Sequence, residues 1–270
     1  MEERMMEMSP VPRKRVLAYL TAKKHPLIYA RNMGMSKKLR GRVHFFLIFV
    51  NDAKSVWTEA AKAQYRANFE RGLNYLRSVS AQGIPLFSYQ YTEFNGNFEK
   101  YDIGAAAREN VSTQLAINTD LLVLHKLAEL LEKQHLQPLS TPLSWETIFS
   151  YSNVIYNCDE TAVVLALNYD GRSYAIPMNP IQAVPEYCIT FASYQYAAQI
   201  PSIVIDHEIL HLFGAADLYT PQNVATLAKQ YFPNSIMDTG HILDELTRYV
   251  IGWLYELSSA ALDFLLKTTP

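Results

Sequence analysis

The chain has 270 residues, of which 49% are hydrophobic and 19% charged, and its formal net charge at pH 7 is −2. This composition is ordinary for a folded globular protein and excludes a globally disordered chain. The two cysteines, Cys158 and Cys188, are too few for a disulfide framework or for a zinc site made of thiolates. They predict either a single bridge or, in our interpretation, two reduced buried thiols.

Positive charge is concentrated at the N-terminus. Residues 1–43 contain eleven Lys or Arg and three Glu, a local charge of +8, which leaves −10 for the rest of the chain. We predict that residues 1–42 form a basic N-terminal extension. It would be either a solvated, partly ordered segment or an electrostatic handle for an acidic partner, membrane or nucleic acid. It lacks the interleaved aromatic residues expected of a specific nucleic-acid module.

The sequence carries no sign of membrane insertion. No apolar stretch reaches about 18 residues, so we predict no transmembrane helix. The N-terminus begins with Glu2, Glu3 and Glu7 and lacks the apolar core of a secretory signal. We therefore expect a soluble protein that stays in the cytoplasm or is exported by a route without a cleaved signal peptide.

Strands and helices alternate in the first half of the predicted core. Residues 43–50 form a continuous apolar run, which is typical of a strand buried on both faces of a sheet. Residues 51–52 offer an N-cap for a helix whose apolar spacing continues until Gly83. A second strand is predicted at 85–94 and a second long helix at about 111–134. This order favours a sheet with crossover helices.

The middle of the chain is predicted to contain a loop and then short strands. Two prolines with several Ser and Thr indicate a loop over residues 136–147. The predicted strands are residues 153–156, 161–168, 172–178 and 187–194. Asp170-Gly171 predicts a tight turn between the second and third of these. A helix is expected from Pro201, because proline is favoured in the first helical turn.

This last helix contains two histidines four residues apart. On a helix, His207 and His211 project from one face, one turn apart, where both can bind a single zinc ion. Glu208 is rotated by about 100° from His207, which makes it a poor ligand but places it beside a water molecule activated by the metal. The alternative is a core helix whose histidines hydrogen-bond to backbone carbonyls.

The residues after the helix extend this motif. Gly214 can adopt a positive φ and end the helix, so that the chain folds back and Asp217 reaches the same metal. We estimate that the five-residue pattern arises by chance in roughly one such chain in a hundred, and the longer pattern in roughly one in forty thousand. The longer pattern is therefore a specific signal.

The extended motif resembles the zinc-binding motif of the metzincin metallopeptidases: His207-Glu208-x-x-His211-x-x-Gly214-x-x-Asp217. Most of that clan has a third histidine at the position of Asp217, and an aspartate there resembles the small subgroup typified by snapalysin. Residues 235–238 are similar to the methionine turn of the clan. By this resemblance, Met237 lies beneath the ligands as an apolar floor and does not bind metal. The close similarity covers residues 201–238.

The resemblance implies an α+β fold of the zincin or metzincin type. Such a fold has a mixed twisted sheet, with two long helices above the active-site helix. It implies one zinc metallopeptidase domain, residues 43–270, made of an upper subdomain (43–214) and a small lower subdomain (215–270). The lower subdomain would carry the methionine turn and a C-terminal helix.

The resemblance also implies a site and a reaction. One catalytic Zn²⁺ would be bound by His207, His211 and Asp217, and Glu208 would be the general base of an endopeptidase acting on a protein or peptide. Astacin-like and serralysin-like members have a tyrosine two residues after the turn methionine, where this chain has Thr239. The residues that could stabilise the oxyanion in its place are Tyr219, Tyr231, His241 and Tyr249.

Other functions stay open at this point. The chain could be a catalytically silent binding protein that keeps the zinc fold, or a zinc hydrolase of a non-peptide amide. A role as an exported effector or toxin protease is a further hypothesis, motivated by the basic arm and the missing signal peptide. For a peptidase, we expect an extended substrate to pair with an exposed strand edge, which we place at residues 172–178.

Overall fold

The computed structural model describes residues 10–80, 86–98, 103, 113–135, 143–176, 186–193 and 199–269. Its helices are α1 (Pro10–Ala22), α2 (Pro26–Tyr29), α3 (Glu59–Ser80), α4 (Thr113–His135), α5 (Trp145–Ile155), α6 (Ser202–Leu212), α7 (Gln222–Tyr231), α8 (Glu245–Val250) and α9 (Ser259–Lys267). Its strands are β1 (Gly41–Asp52), β2 (Phe87–Phe98), β3 (Glu160–Asp170), β4 (Tyr174–Ile176) and β5 (Tyr187–Ser193). None of the described helices is long and apolar enough to cross a membrane.

The five strands form one mixed sheet in the order β2-β1-β3-β5-β4. All neighbours are parallel except β4, which lies at one edge and runs antiparallel to β5. Strands of a parallel sheet are covered on both faces, which explains the uninterrupted apolar runs in β1 and β3. Residues 43–50 are all buried. The α+β class and the mixed sheet are as predicted.

Helices cover both faces of the sheet. Side chains of β1 alternate between the faces, so Phe45 packs with α3 and α6, whereas Phe46 packs with α4 and α5. The expectation that both long helices lie above the active-site helix is therefore wrong, because only α3 shares its face. Strand β2 lies to one side of β1 and β3 to the other, and right-handed crossovers in opposite directions put their helices on opposite faces.

Several elements agree with the sequence pattern. The strands predicted at 85–94, 161–168 and 187–194 correspond to β2, β3 and β5, and the helix predicted at 111–134 corresponds to α4. Strong periodicity over many residues explains these agreements. The helix stop predicted at Gly83 lies outside the described residues.

Helix α5 was not predicted. Its residues fall in the expected loop at 136–147 and the expected strand at 153–156, so the strand is wrong and the described part of the loop is shorter than expected. The side chain of Ser144 caps the helix by accepting a hydrogen bond from the Thr147 amide. Buried side chains at Trp145, Ile148 and Phe149 follow helical spacing and pack against the sheet. The cap followed by this spacing was the signal available in the sequence.

The predicted hairpin at Asp170-Gly171 is also wrong. Strand β4 pairs with β5 and not with β3, because β5 lies between them. The Gly171 amide donates to the carbonyl of Ser193 on β5. After this turn the chain does not form the strand next to β3. It forms the edge strand β4, and β5, which follows β4 in sequence, lies between β3 and β4.

The N-cap predicted at residues 51–52 is a third error. Both residues belong to β1, and α3 begins only at Glu59. The Asp52 carboxylate caps a turn by accepting from the amides of Lys54 and Ser55. The hydroxyl of Thr58 accepts from the Ala61 amide at the start of α3, at 3.2 Å.

The described part of the basic N-terminal segment is packed into the fold. Four of its side chains, Leu20, Leu27, Ile28 and Leu39, are buried in the same apolar cluster as α6. The Arg31 guanidinium donates to two backbone carbonyls near the C-terminus, at 2.8 and 2.9 Å. Residues 10–42 therefore do not form the solvated extension expected from their charge. Their apolar side chains complete the core.

Both cysteines are free and buried. Cys188 on β5 is fully buried in the cluster that contains α6, and Cys158 lies just before β3. Of the two alternatives predicted from the sequence, the structure shows reduced thiols.

A buried histidine on β1 makes the fold sensitive to acid. His44 is 1% exposed, its ring stacks on that of Tyr156 at 3.7 Å, and neither ring nitrogen has a hydrogen-bond partner among the described residues. Burial lowers the pKa of His44 to about 4. The folded protein therefore keeps this ring neutral at pH values where the unfolded chain protonates it.

We expect the free energy of unfolding to fall between about pH 6.5 and pH 4, because only the unfolded chain binds the proton at His44 in this range. The loss approaches about 3 kcal/mol, at roughly 1.4 kcal/mol for each pH unit. Urea unfolding of the wild type and of His44→Phe across this range measures it. The variant should lose most of the slope, whereas His241→Gln at an exposed position should keep it. Equal slopes in the wild type and His44→Phe would show that His44 is not responsible.

Candidate metal centre

Helix α6 is fixed between the sheet and α3. Its apolar side chains at Ile205, Ile209 and Leu210 are fully buried in the core. On the side that faces α3, a Cβ atom at Gly72 would lie only 2.2 Å from Oδ1 of Asp206, so the two helices approach closely at a glycine. The helix begins one residue after Pro201, as predicted. Its orientation, and hence that of its histidines, is set by this packing.

The end of α6 turns the chain back towards the histidines. Gly214 has φ +94°, its amide donates to the carbonyl of His211, and the Ala215 amide donates to the carbonyl of Leu210. This pair of hydrogen bonds is a Schellman motif, which requires a left-handed residue where Gly214 stands. The predicted break is therefore confirmed, and the next residues return along the helix.

Three acceptor atoms converge beyond this turn. Nε2 of His207 lies 3.1 Å from Nε2 of His211. Oδ1 of Asp217 lies 3.1 Å from the first nitrogen and 3.2 Å from the second. The structure thus brings together all three predicted ligands in a nearly equilateral triangle.

Hydrogen bonds at the far side of each ring fix which nitrogens are free. Nδ1 of His207 contacts the carbonyl of Ile236 at 2.8 Å, and Nδ1 of His211 contacts that of Ala215 at 2.7 Å. A carbonyl oxygen only accepts, so each Nδ1 carries a proton, and a neutral ring then presents an unprotonated Nε2. Carbonyl groups that orient histidines in this way are typical of metal sites.

This arrangement needs a positive charge at its centre. With both protons on Nδ1, the buried Oδ1 atom of Asp217 has no donor among the described residues. Burial lowers the pKa of His207, but Asp217 and Glu208 act in the opposite direction, and the net pKa is raised. A tetrahedral zinc ion with bonds of about 2.05 Å would hold its ligands about 3.3 Å apart, close to the observed spacing. The donor set therefore fits a divalent cation.

Glu208 lies beside the triangle and is not part of it. One ligand atom from each of His207, Glu208 and His211 lies within 4.8 Å of the others. Its side chain is 6% exposed. Burial raises the pKa of Glu208, although the two histidines partly oppose this rise. A carboxylate with a raised pKa at this distance suits proton transfer better than metal binding.

The turn around Met237 supports the ligands. Its carbonyl accepts a hydrogen bond from the Leu218 amide at 2.8 Å, next to Asp217, while the preceding residue, Ile236, supplies the acceptor for His207. Met237 is fully buried in the cluster that contains α6. Ser235 anchors the turn by donating to Asp244 at 2.6 Å. The turn thus fixes two of the three acceptors through its backbone.

A cleft of about 280 Å³ opens beside His207 and Glu208. Its lining includes Arg172 and Ser173, just before β4, and residues 238–241, just after Met237. Strand β4 is the last strand of the sheet, so its outer edge has no partner strand among the described residues. The cleft therefore extends from His207 to the residues that precede the edge strand.

Two of the four candidate oxyanion residues line this cleft. Tyr219 stacks on His207 with ring centroids 6.3 Å apart, and its hydroxyl bonds to Asp217 and accepts from Arg172 at 2.9 Å. His241 lines the cleft and is exposed. Burial raises the pKa of Tyr219 to about 12, with Asp217 acting in the same direction, so its hydroxyl keeps its proton.

The other two candidates lie elsewhere. Tyr231 on α7 bonds to Asp263 and accepts from Lys267 at 2.7 Å. Tyr249 on α8 is buried, and its ring lies under the Arg31 guanidinium at 4.1 Å. Neither lines the cleft. The structure therefore does not bring these two candidates to the cleft, and the spacing of the 18 tyrosines in the sequence gives no signal of their tertiary position.

Three components of the site were missed in the sequence. The carbonyls of Ile236 and Ala215 orient the histidines, and Arg172 lines the cleft. Every residue has a backbone carbonyl, so the sequence does not indicate which carbonyls accept hydrogen bonds from the histidines. Arg172 stands at the start of the predicted edge strand, which was the only available hint.

Comparison with known proteins assigns no family to the chain. No family model matches it, and no curated protein matches it. The similarity to metzincins therefore depends on residues 201–238 alone, and what it implies for metal and reaction is a proposal.

Substitution of Gly214 tests the helix break. A Cβ atom there would lie 2.9 Å from the carbonyl oxygen of Ala30, and φ is positive. We expect Gly214→Ala to lower the free energy of unfolding by about 2–3 kcal/mol. Gly252→Ala is the matched control, because its φ is +88° and the nearest atoms to its Cβ would belong to the Lys38 side chain and not to a backbone carbonyl. Urea denaturation compares the two. A loss no greater in Gly214→Ala than in Gly252→Ala would refute the importance of the Ala30 contact.

Proposed function

We propose that this chain is a zinc-dependent endopeptidase of the metzincin type, with Asp217 as the third ligand. The observation that carries the proposal is the convergence of His207, His211 and Asp217 on one point, with Glu208 beside it in an open cleft. The mixed sheet and the ligand-supporting turn at Met237 are consistent with that family's plan. The length of the matching motif adds to the support.

Three of these residues would be metal ligands, and Glu208 would be the general base. His207, His211 and Asp217 would hold the ion, and a zinc ion there would supply Lewis-acid activation of the scissile carbonyl and of a water molecule. Glu208 would accept a proton from that water and then pass it to the leaving amine. Its buried position and raised pKa suit both steps.

The cleft favours an extended peptide as substrate. A peptide lying in it can pair with the outer edge of β4, which supplies backbone donors and acceptors at alternate residues. Tyr219 is the better placed oxyanion candidate, since its ring stacks on His207, and its hydroxyl proton, which bonds to Asp217, would have to turn towards the substrate to donate. Both inferences depend on the proposed reaction.

Metal content tests the ligand set. We expect the wild type to bind one equivalent of zinc, and Asp217→Asn to bind it at least about 100-fold more weakly, because the substitution removes the anionic ligand. Asp238→Asn, which also lines the cleft, is the matched control and should retain the metal. Elemental analysis and competition with a chelator measure both. Equal zinc affinity in Asp217→Asn and the wild type would exclude Asp217 as a ligand.

Replacement of the base separates catalysis from metal binding. We expect Glu208→Gln to keep zinc but to lower kcat on peptides by about 10²–10⁴, because a side-chain amide does not act as a general base. Glu146→Gln, at an exposed position on α5, should behave as the wild type. The measurement is a peptide-library digest followed by kinetics on one cleaved peptide.

The same experiment distinguishes the alternatives. A wild type that binds zinc but cleaves neither peptides nor simple amides would be a catalytically silent binding protein. Cleavage of amides without cleavage of peptides would indicate a hydrolase of a non-peptide amide. Either result would overturn the peptidase proposal.

A further inference from the structure

Among the described residues that line the cleft, Arg172 is the only Lys or Arg. It precedes β4, and its side chain is exposed. The other lining residues include the carboxylates of Glu208 and Asp238. The Arg172 guanidinium therefore lies in the cleft, next to the edge strand, where it can contact a group of a bound substrate.

The position of this guanidinium is fixed. One of its terminal nitrogens donates to the Tyr219 hydroxyl at 2.9 Å, and the group lies over the Tyr219 ring at 5.7 Å from its centroid. The Tyr219 ring in turn stacks on His207. Arg172 is therefore held one side chain away from the acceptor triangle, where it can reach a residue next to the scissile bond.

Arg172 forms no ion pair with a carboxylate of the described residues, although its charge partly opposes the rise that burial causes in the pKa of Glu208. A guanidinium has five N–H donors, and the hydrogen bond that the structure shows for Arg172 ends on a neutral hydroxyl. No carboxylate in the described ranges forms an ion pair with it. Arg66 shows the contrast, because Glu93 takes two of its donors at 2.6 and 3.1 Å. Most of the N–H donors of the Arg172 guanidinium therefore remain available to a ligand.

We infer that Arg172 selects a substrate carboxylate close to the scissile bond, so that the enzyme prefers acidic peptides. This inference rests on the proposed peptidase function. A planar guanidinium matches a carboxylate with two parallel hydrogen bonds. Because Glu208 and Asp238 already place negative charge in the cleft, a singly charged carboxylate fits better than a doubly charged phosphate. The carboxylate can come from an Asp or Glu side chain or from the C-terminus of a peptide.

Pairs of peptides that differ by one group test the inference. After a library digest has located the cleaved bond, Glu is compared with Gln, and Asp with Asn, at each neighbouring position, and free C-termini are compared with amides. We expect kcat/KM to be at least about tenfold higher for the acidic member at one position, as for a charged hydrogen bond. A preference that depends on amidation alone assigns the carboxylate to the chain end, and one that depends on the side chain assigns it to Asp or Glu.

Variants of Arg172 decide whether this residue is responsible. Arg172→Gln should bring the acid-to-amide ratio of kcat/KM close to one, and Arg172→Glu should reverse the preference towards Lys-containing peptides. Arg77→Gln is the matched control, because Arg77 also lies 5.7 Å from a tyrosine ring, that of Tyr89, but does not line the cleft. This control should keep the wild-type ratio.

A binding measurement supplies a second readout. In the Glu208→Gln background, where peptides are turned over only slowly, the acidic peptide should bind at least about tenfold more tightly than its amide partner. The added Arg172→Gln substitution should remove the difference. Cleavage without an acidic preference, or a preference that survives Arg172→Gln, would overturn the inference while the peptidase proposal stands. A wild type that cleaves no peptide would instead overturn the proposed function, and the inference with it.

Discussion

The site depends on two hydrogen bonds from imidazole Nδ1 atoms to backbone carbonyls. They hold the protons of His207 and His211 on the outer side, so that two lone pairs and the Asp217 carboxylate face one another at 3.1–3.2 Å. Such an arrangement is repulsive by itself and is relieved by a cation. The rest of the fold supplies the two carbonyls and holds them in place: one at the break after α6, the other in the turn before Met237.

The packing around α6 maintains the positions of these three ligand atoms. The helix cannot rotate, because its apolar side chains fill the core and its contact with α3 leaves no room for a Cβ atom at Gly72. Two hydrogen bonds hold the turn around Met237 in place. Ser235 donates to Asp244, and the Leu218 amide donates to the carbonyl of Met237. Rigid elements therefore surround the acceptors, whereas the cleft beside them is open on the side of the edge strand.

The sequence predicted the features that are local along the chain. The spacing of His207 and His211, and the break at Gly214 that returns Asp217, lie within a few residues and depend on helix geometry. Tertiary placement was not predictable in the same way: nothing in the spacing separates Tyr219, which stacks on a ligand, from the other tyrosines. Which face of the sheet α3 and α4 each cover depends on the order of the strands. This order is known only when all five strands are paired.

The segment of residues 10–42 has a consequence for how the protein folds. Arg31 bonds to carbonyls 218 and 223 residues later in the chain, and the Ala30 carbonyl lies against the turn that ends α6. The turn that brings Asp217 back to the histidines therefore packs against a segment that is distant along the chain. Contacts of such high sequence separation form more slowly than local ones, because a long loop has to close first.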